Sequence, residues 1–277
     1  MNPTFRNLSI KMLVPALTFF DENLGIDWSA NENYARRLSM FPIQGVLLFG
    51  STGEGASLSI SERQRLIEVY VASLHVNQKI FIVIGHSAVG DERTLLDIRN
   101  NRINGYVLLP NFANKRIDPI DVRRLSWLSK HIDPTKRIYL YSLQKTTGIS
   151  FANSHALSEF WDAGVAIDGL KISHEEVQVL EDLRALRTWR DEPIELWWGS
   201  DRYLRKSLEF GASAIVSSML ACYQDEDQMF NDQLLSMNLE NLRETIGKGA
   251  MKLSRMKQRI STLIGGDNIV RPPYITC

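Results

Sequence analysis

The residue whose surroundings most suggest chemistry is a lysine inside an apolar run. Lys171 lies between Leu170 and Ile172, and the next polar residues, Ser173 and His174, begin a loop. A lysine at the edge of a packed core loses hydration, which disfavours its charged form and lowers its pKa. Its neutral amine could then attack a carbonyl carbon and form a Schiff base. The alternative is a strand-end lysine that extends its ammonium group into water.

A glycine-rich turn is the second candidate. Residues 50–55 read Gly-Ser-Thr-Gly-Glu-Gly and follow the apolar run 45–49. Gly50 and the two later glycines allow the backbone to turn tightly and present its N–H groups outward, which suits a carboxylate or a phosphate. The hydroxyls of Ser51 and Thr52 can add hydrogen bonds or pass a proton. An ordinary turn between a strand and a helix is the alternative.

Two further polar residues follow apolar runs. Tyr141 ends the run 137–141, where its phenol could carry protons to a carbonyl or an alkoxide. An interfacial aromatic residue with a hydrated hydroxyl is the alternative. Asp201 closes the Gly199–Asp201 segment after another apolar run, and it could serve only as the N-cap of the next helix.

The order of apolar segments predicts the scaffold for these residues. Strand-length apolar runs lie at 12–18, 45–49, 80–85, 105–110, 137–141, 165–173, 193–198 and 214–217. Helical patterns follow them at 26–40, after a cap at Ser59 or Ser61, and at 93–98, 119–131, 154–163, 175–190 and 201–210. Strands apolar on both faces, each followed by a helix, imply a parallel sheet covered by helices.

Eight such units predict a (β/α)8 TIM barrel over residues 1–224, with its chemistry at the C-terminal strand ends. Residues 225–277 carry helical patterns only, so we expect a short all-helical C-terminal extension. An open doubly wound sheet is the alternative architecture, but no GxGxxG follows the first strand. In a barrel, the turn at 50–55, Tyr141 and Lys171 would share one rim. A carboxylate-binding turn, a proton-handling tyrosine and a desolvated lysine are what a Schiff-base enzyme acting on a 2-oxo acid requires.

Composition excludes several other classes of function. The 277 residues are 44% hydrophobic and 23% charged, which is typical of a globular protein with a sizeable core. Lysine plus arginine equals aspartate plus glutamate at 32 each, so charge gives no reason to expect nucleic acid or a membrane as a partner. The two cysteines and five histidines lack ligand spacing, which predicts neither a disulfide nor a metal site. No signal peptide or membrane span is apparent, and we expect a cytoplasmic protein.

Three motifs in this order resemble the dihydrodipicolinate synthase and N-acetylneuraminate lyase family of class I aldolases. They are Gly50-Ser51-Thr52-Gly53-Glu54 with Leu58-Ser59 and Glu62-Arg63, then Tyr141 with Thr147-Gly148, and Gly169-Leu170-Lys171. The resemblance covers nearly the whole chain. It implies that Lys171 forms an imine with pyruvate, that the Ser51–Thr52 turn holds the pyruvate carboxylate, and that Ser51 and Tyr141 relay protons. It also implies that Val216 lines the pyruvate pocket, that no metal or organic cofactor is needed, and that the protein is a homo-oligomer, a dimer or tetramer.

Departures from the family pattern bear on the second substrate. Thr146 stands where the synthase branch has an arginine that grips the second carboxylate, and Gln144 stands where a proline is usual. Lys145, next to them, is not a geometric replacement for a bidentate arginine. Phe112 occupies the position of a second relay tyrosine. These differences argue against lysine biosynthesis as the role of this chain.

The segment Gly199–Asp201 resembles that of 2-keto-3-deoxy sugar acid aldolases, whereas the neuraminate lyase branch carries an Asp-Glu pair after the glycine. We therefore predict a pyruvate-dependent class I aldolase or lyase, with pyruvate and an aldehyde as small-molecule partners and Thr146 and Asp201 near the second substrate. One alternative is a dihydrodipicolinate synthase in which Lys145 replaces the arginine. Another is a non-catalytic, oxo-acid-binding paralogue, although the presence of both Lys171 and Tyr141 argues against it.

Overall fold

A computed structural model describes residues 11–86, 89–98, 100–110, 119–143, 154–165, 167–174, 194–224, 232–247 and 251–271. Its eight strands form a closed barrel in sequence order, β1 to β8. They are β1 (Met12–Pro15), β2 (Gly45–Leu48), β3 (Lys79–Ile84), β4 (Ile103–Leu108), β5 (Arg137–Ser142), β6 (Gly169–Ile172), β7 (Glu195–Trp198) and β8 (Ala214–Val216). The predicted (β/α)8 barrel is therefore confirmed.

Helices separate the strands and continue after the last one. They are α1 (Trp28–Met40), α2 (Ile60–Ser73), α3 (Val89–Leu96), α4 (Pro119–His131), α5 (Ser154–Asp162), α6 (Leu204–Glu209), α7 (Asp232–Ile246) and α8 (Lys252–Ile264). The last two confirm a helical C-terminal region. Ser59 caps α2 in a capping box with Glu62, so of the two serines predicted as its cap Ser59 is the right one. The predicted helix at 175–190 lies outside the described residues.

The strands are short and almost entirely buried, as their apolar composition requires. Every residue of β1, β2, β6 and β8 is buried, and the pairs from β4 to β8 are parallel. The predicted first strand, 12–18, is too long, since the ladder ends at Pro15. The predicted helix at 201–210 begins too early, because Tyr203 adopts a left-handed backbone and α6 starts at Leu204.

The chain divides into two compact units. One comprises residues Met1–Ile80 and Ser217–Cys277, and the other comprises Phe81–Val216. In the first unit the Tyr34 hydroxyl donates to the Ala221 carbonyl at 2.8 Å, which ties α1 to the segment after β8. No helix among the described residues is long and apolar enough to cross a membrane.

Candidate active site

Strand register in the second unit brings the predicted lysine and tyrosine side by side. In the β5–β6 ladder Tyr141 pairs with Lys171, and in the β6–β7 ladder Lys171 pairs with Trp197. Side chains at paired positions of neighbouring strands point to the same face of the sheet. The Lys171 ammonium nitrogen accordingly lies 3.4 Å from the centroid of the Tyr141 ring.

Burial sets the protonation of Lys171. Only 4% of the residue is exposed, and loss of hydration lowers the pKa of its amine below the usual 10.5. The Tyr141 hydroxyl and the Asp201 carboxylate act in the opposite direction and limit the fall of this pKa. The sequence-based alternative of a lysine extended into water is therefore wrong. A lysine whose free amine is easier to form is suited to attack a carbonyl carbon.

Ser173 is the group that sequence reasoning did not select. The Lys171 nitrogen donates to the Ser173 Oγ at 3.1 Å, and that Oγ lies 3.3 Å from both the Tyr141 hydroxyl and the Gly199 carbonyl oxygen. Its single hydroxyl hydrogen can serve only one of these acceptors at a time. Ser173 thus links the lysine to the tyrosine. Its position two residues after Lys171, on the same face of an extended chain, is the signal that could have found it.

Gly199 makes room for this serine. A Cβ atom at Gly199 would overlap the Ser173 Oγ, so a larger residue would displace the hydroxyl from the lysine. The Gly199 amide also donates to the Ile172 carbonyl at 2.6 Å, which holds the end of β7 against the end of β6. The glycine of the Gly199–Asp201 motif therefore has a packing role beside the lysine.

An aromatic cluster is formed by residues of β3, β5 and β7. The Trp197 and Tyr139 rings stack with centroids 3.7 Å apart, and Phe81 packs edge-on against both. Glu195 accepts hydrogen bonds from the Tyr139 hydroxyl at 2.9 Å and from the Trp197 indole at 3.2 Å. The cluster thus adjoins the lysine in the sheet, since Trp197 pairs with Lys171 in the β6–β7 ladder.

His174 is buried directly after Ser173. Its Nε2 lies 2.9 Å from the Ser142 Oγ, and burial lowers the pKa of the imidazole to about 4. His174 is therefore neutral near pH 7 and adds no positive charge close to Lys171. An additional cation there would lower the lysine pKa further.

Of the remaining residues predicted for the site in this unit, the structure describes Asp201 and Val216 but not Thr146. Asp201 is buried and acts electrostatically on Lys171, and the alternative that it caps α6 is wrong because the cap position is Tyr203. Val216 is the last residue of β8 and is buried. Thr146, with Gln144, Lys145 and Phe112, lies outside the described residues.

The glycine-rich turn belongs to the first unit and has a closely determined geometry. The amides of Gly53 and Gly55 donate to the Gly50 carbonyl at 3.0 and 3.2 Å, and the Glu54 amide donates to the Ser51 carbonyl at 3.2 Å. A Cβ at Gly55 would overlap the Phe49 carbonyl oxygen, so the close turn requires glycine. Phe49 and Glu54 adopt left-handed backbones, with φ of 62° and 54°.

Side chains hold the carbonyl groups of this turn. Thr18 donates to the Gly53 carbonyl at 2.8 Å, Ser57 donates to the Glu54 carbonyl at 2.8 Å, and Arg63 donates to the Gly55 carbonyl at 2.7 Å. Ser51 and Thr52 are half-buried, and their amides donate to no protein group that the structure describes. Two adjacent free N–H groups with two hydroxyls form a suitable binding site for a carboxylate.

Within the described parts of the chain, no group of histidine, cysteine, aspartate or glutamate side chains could hold a metal ion. An amine of lowered pKa beside a tyrosine and a serine is suited to reversible addition to a carbonyl group.

No protein-family model matches the sequence, but individual relatives do. The sequence is 25% identical over 217 residues to an uncharacterized DapA-like lyase of Chloroflexus aurantiacus. The aligned region covers 75% of this chain and 69% of the lyase. A 4-hydroxy-tetrahydrodipicolinate synthase of Chlamydia trachomatis is 24% identical, with the same coverage. N-acetylneuraminate lyase B of Xenopus laevis is 26% identical over 64% of this chain and 65% of its own.

Solved structures share the fold. A sialic acid aldolase of Ruminococcus gnavus superposes with a TM-score of 0.79 at 15% identity, over 96% of this chain and 91% of its own. A 2-keto-3-deoxygluconate aldolase of Sulfolobus solfataricus gives a TM-score of 0.74 at 18% identity, over 96% and 90%. The sequence relatives confirm the similarity that the motifs predicted, to the dihydrodipicolinate synthase and N-acetylneuraminate lyase family, and the solved structures share the barrel fold.

Proposed function

We propose that this protein is a pyruvate-dependent class I aldolase or lyase that acts on a 2-oxo acid through an imine on Lys171. The observation that carries the proposal is the environment of the Lys171 amine. It is buried on the sixth strand of the barrel, hydrogen-bonded to Ser173, and 3.4 Å from the Tyr141 ring centroid. The names of the relatives, lyases and aldolases, support the same reaction class.

The proposed reaction begins with attack of the neutral Lys171 amine on the 2-oxo carbon. The carbinolamine that results takes a proton on its oxygen and loses water, leaving a protonated imine. Among the described residues, Tyr141 and Ser173 bring hydroxyl groups close to the amine, so we assign them the transfer of these protons. Ser51, a hydroxyl of the first unit, is proposed to join this relay on the strength of the family resemblance.

The imine then draws electrons from a neighbouring carbon–carbon bond. In the cleavage direction that bond breaks, its electron pair forms an enamine, and the adjacent hydroxyl loses its proton to become an aldehyde. Protonation of the enamine and hydrolysis of the imine release pyruvate and regenerate Lys171. Every step uses the amine, hydroxyl groups and water.

We propose that the turn at Gly50, Ser51 and Thr52 holds the substrate carboxylate. The free amides and the hydroxyls of Ser51 and Thr52 support this role, because a carboxylate accepts several N–H and O–H hydrogen bonds at once. Val216 is proposed as an apolar wall of the pyruvate pocket, and Thr146 as a contact to the second substrate.

We propose that the 2-oxo acid is a 2-keto-3-deoxy sugar acid, so that the second substrate in the condensation direction is a hydroxylated aldehyde. Asp201 supports this choice, since its carboxylate is buried beside Lys171 and is not used as a helix cap. A carboxylate in such a place can accept hydrogen bonds from sugar hydroxyls, but it would repel a second substrate carboxylate. Dihydrodipicolinate synthase activity, which needs such a carboxylate to be held, is the alternative that some relatives support.

Borohydride trapping tests the imine. The protein is incubated with pyruvate and sodium borohydride and then mapped by mass spectrometry, and we expect a reduced pyruvate adduct on Lys171. A Lys79→Arg variant, altered at an exposed lysine at the start of β3, is the matched control and should retain the adduct. No adduct on Lys171 would overturn the proposed mechanism.

A substrate panel then identifies the second substrate. Pyruvate release is measured from 2-keto-3-deoxy sugar acids and from N-acetylneuraminate, and condensation is measured with pyruvate and aspartate semialdehyde. Release from a sugar acid supports the proposal, and rapid condensation supports the synthase. Trapping without turnover of any substrate would indicate the oxo-acid-binding paralogue. A homo-oligomer, measured by light scattering, remains part of the proposal that the family resemblance motivates. A cytoplasmic location remains part of the proposal on the sequence alone.

A further inference from the structure

The carboxylate of Glu54, inside the glycine-rich turn, is fully buried and is held from the C-terminal part of the chain. Its Oε1 lies 2.5 Å from the Lys257 ammonium nitrogen, and its Oε2 accepts a hydrogen bond from the Arg271 amide at 2.9 Å. Glu54 and Lys257 are both 0% exposed. The turn therefore has a charged anchor more than 200 residues away in the sequence.

Lys257 is itself fixed in position on α8. Its ammonium group also donates to the Ile269 carbonyl at 2.5 Å and lies 4.6 Å from the centroid of the Phe20 ring. Burial lowers the pKa of Lys257 and raises that of Glu54, while the close contact between them opposes both shifts. The position of the Lys257 ammonium group is thus set by several partners besides the Glu54 carboxylate.

Arg271 closes the other side of the turn. Its guanidinium makes a forked pair with Glu62, at 2.9 and 2.8 Å, and donates to the carbonyls of Ser57, at 3.1 Å, and Leu24, at 2.5 Å. Glu62 forms the capping box of α2, and Ser57 ends the short helical turn 55–57. Arg271 thus fixes the segment that follows Glu54, as Lys257 fixes Glu54 itself.

Stability alone does not account for this arrangement. A buried ion pair is commonly no more stabilising than well-packed apolar residues of the same volume, because both charges lose their hydration. An ion pair does, however, fix the orientation of the two side chains that form it. Glu54 has a left-handed backbone that is unfavourable for a residue with a side chain, and it lies two residues after Thr52. Small displacements of a binding group impair a site strongly.

We propose that Lys257 and Arg271 are positioning residues that hold Glu54, and through it the Ser51 and Thr52 amides, in the orientation that receives the substrate carboxylate. The inference rests on the proposed function, in which this turn binds the carboxylate of a 2-oxo acid. It assigns a role in substrate binding to residues of the C-terminal region.

The test compares pyruvate binding with imine formation in four variants: Lys257→Met, Glu54→Gln, Arg271→Lys and, as a control, Arg255→Met. Arg255 is an exposed cation on the same helix as Lys257, and it contacts the Ile246 carbonyl. For each protein we measure the Kd for pyruvate by calorimetry, the KM for pyruvate, and the trapping rate at saturating pyruvate. We expect Kd and KM to rise about tenfold or more in the first three variants, and the saturated trapping rate to stay within about threefold. Arg255→Met should behave as the wild type.

A purely structural ion pair would give a different pattern. Lower thermal stability with unchanged Kd and KM in folded Lys257→Met and Arg271→Lys proteins would overturn the proposal. Arg271→Lys keeps the positive charge and removes the paired hydrogen bonds to the Glu62 carboxylate. The double variant Glu54→Gln/Lys257→Gln replaces the ion pair by two neutral side chains that can still form a hydrogen bond. These two decide the question if Lys257→Met does not fold.

Failure of the proposed function has its own signature. A wild-type protein that binds pyruvate but forms no Lys171 adduct would refute the imine mechanism, and the Kd values of the variants would still decide the positioning role. A wild-type protein that binds no pyruvate would overturn the positioning role.

Discussion

Lys171 and Lys257 are both buried, and burial lowers the pKa of each, but their partners differ in kind. Lys257 contacts the Glu54 carboxylate at 2.5 Å and a carbonyl oxygen at 2.5 Å. Lys171 contacts the Ser173 hydroxyl at 3.1 Å and lies over the Tyr141 ring at 3.4 Å. A carboxylate in direct contact stabilises an ammonium ion far more than a hydroxyl or a ring does.

The comparison teaches that burial alone does not mark a nucleophilic lysine. Of these two, the lysine paired directly with a carboxylate is suited to remain a cation that holds structure. The lysine among hydroxyls and aromatic rings is suited to lose its proton and react. Asp201 acts on Lys171 as a more remote charge, which moderates the fall of its pKa.

Replacing each lysine by methionine separates the two roles most strongly. Lys171→Met removes the proposed nucleophile, so we expect no borohydride-trapped adduct and a loss of turnover of at least about 10³-fold. Lys257→Met leaves Lys171 in place, so the adduct should still form at saturating pyruvate. Mass mapping and pyruvate-release assays measure both. An adduct that persists in Lys171→Met, or that vanishes from folded Lys257→Met at saturation, would reverse the assignment.

The same two variants should affect stability in opposite directions. Lys257→Met leaves Glu54 buried without its cation, which costs about 3–5 kcal/mol of unfolding free energy. The double variant Glu54→Leu/Lys257→Met should recover most of that loss. Lys171→Met removes an amine that is costly to bury, so we expect it to be at least as stable as the wild type at pH 7. Urea denaturation measures each value.

The pH dependence of this difference has a definite sign. The pKa of Lys171 is lower in the folded protein than the usual 10.5, so the unfolded chain holds this proton more tightly. Wild-type stability therefore rises with pH between the folded pKa and about 10.5, as far as Lys171 is concerned. The advantage of Lys171→Met should shrink between pH 7 and pH 10. An advantage that grows with pH would show that the ammonium form is stabilised in the fold.

Much of this fold is predictable from the local sequence, because a parallel barrel repeats one pattern, a short apolar strand followed by an amphipathic helix. Each predicted strand overlaps an observed one, and Pro119–His131 has the predicted bounds of α4. The errors lie at boundaries. The chain after β7 resembles a helix start, yet the Trp198 indole donates to the Arg202 carbonyl and the helix begins only at Leu204. Such a turn depends on a tertiary contact that no local window contains.

The candidate site is less predictable than the fold. Lys171 and Tyr141 are predicted by their places at strand ends. Ser173 could also have been predicted, because residues two apart in an extended chain face the same side. The contact of Lys257 with Glu54 joins residues 203 positions apart and leaves no trace in sequence spacing. The apolar spacing of Leu253, Met256 and Ile260 places Lys257 on the buried face of α8. It does not identify Glu54 as the partner, so this contact required the structure.

The hydroxyl of Tyr141 can be separated from its ring. Tyr141→Phe keeps the face over which the Lys171 nitrogen lies and removes the proton donor, so we expect imine formation to slow by about 10²-fold. Tyr139→Phe is the control, because its hydroxyl serves Glu195 rather than Lys171. Trapping rates at saturating pyruvate measure the effect. Equal rates for Tyr141→Phe and the wild type would leave Ser173 as the proton-transferring group.

The smallest expected effect concerns Asp201, a carboxylate that acts on Lys171 as Glu54 acts on Lys257, but without the direct contact that Glu54 makes. The Asp201 carboxylate raises the pKa of Lys171, so Asp201→Asn should lower that pKa further. Because imine formation requires the neutral amine, the acidic limb of the trapping rate against pH should move to lower pH, by less than about one unit. Asp168→Asn is the control. Asp168 accepts a hydrogen bond from the Ile138 amide, and its replacement should leave the pH profile unchanged.

A shift of the acidic limb to higher pH would mean that Asp201 does not act on the lysine as a charge. An unchanged profile with weakened sugar-acid turnover would mean that Asp201 serves the second substrate alone, and Lys171 would then owe its reactivity to burial and to its hydroxyl partners.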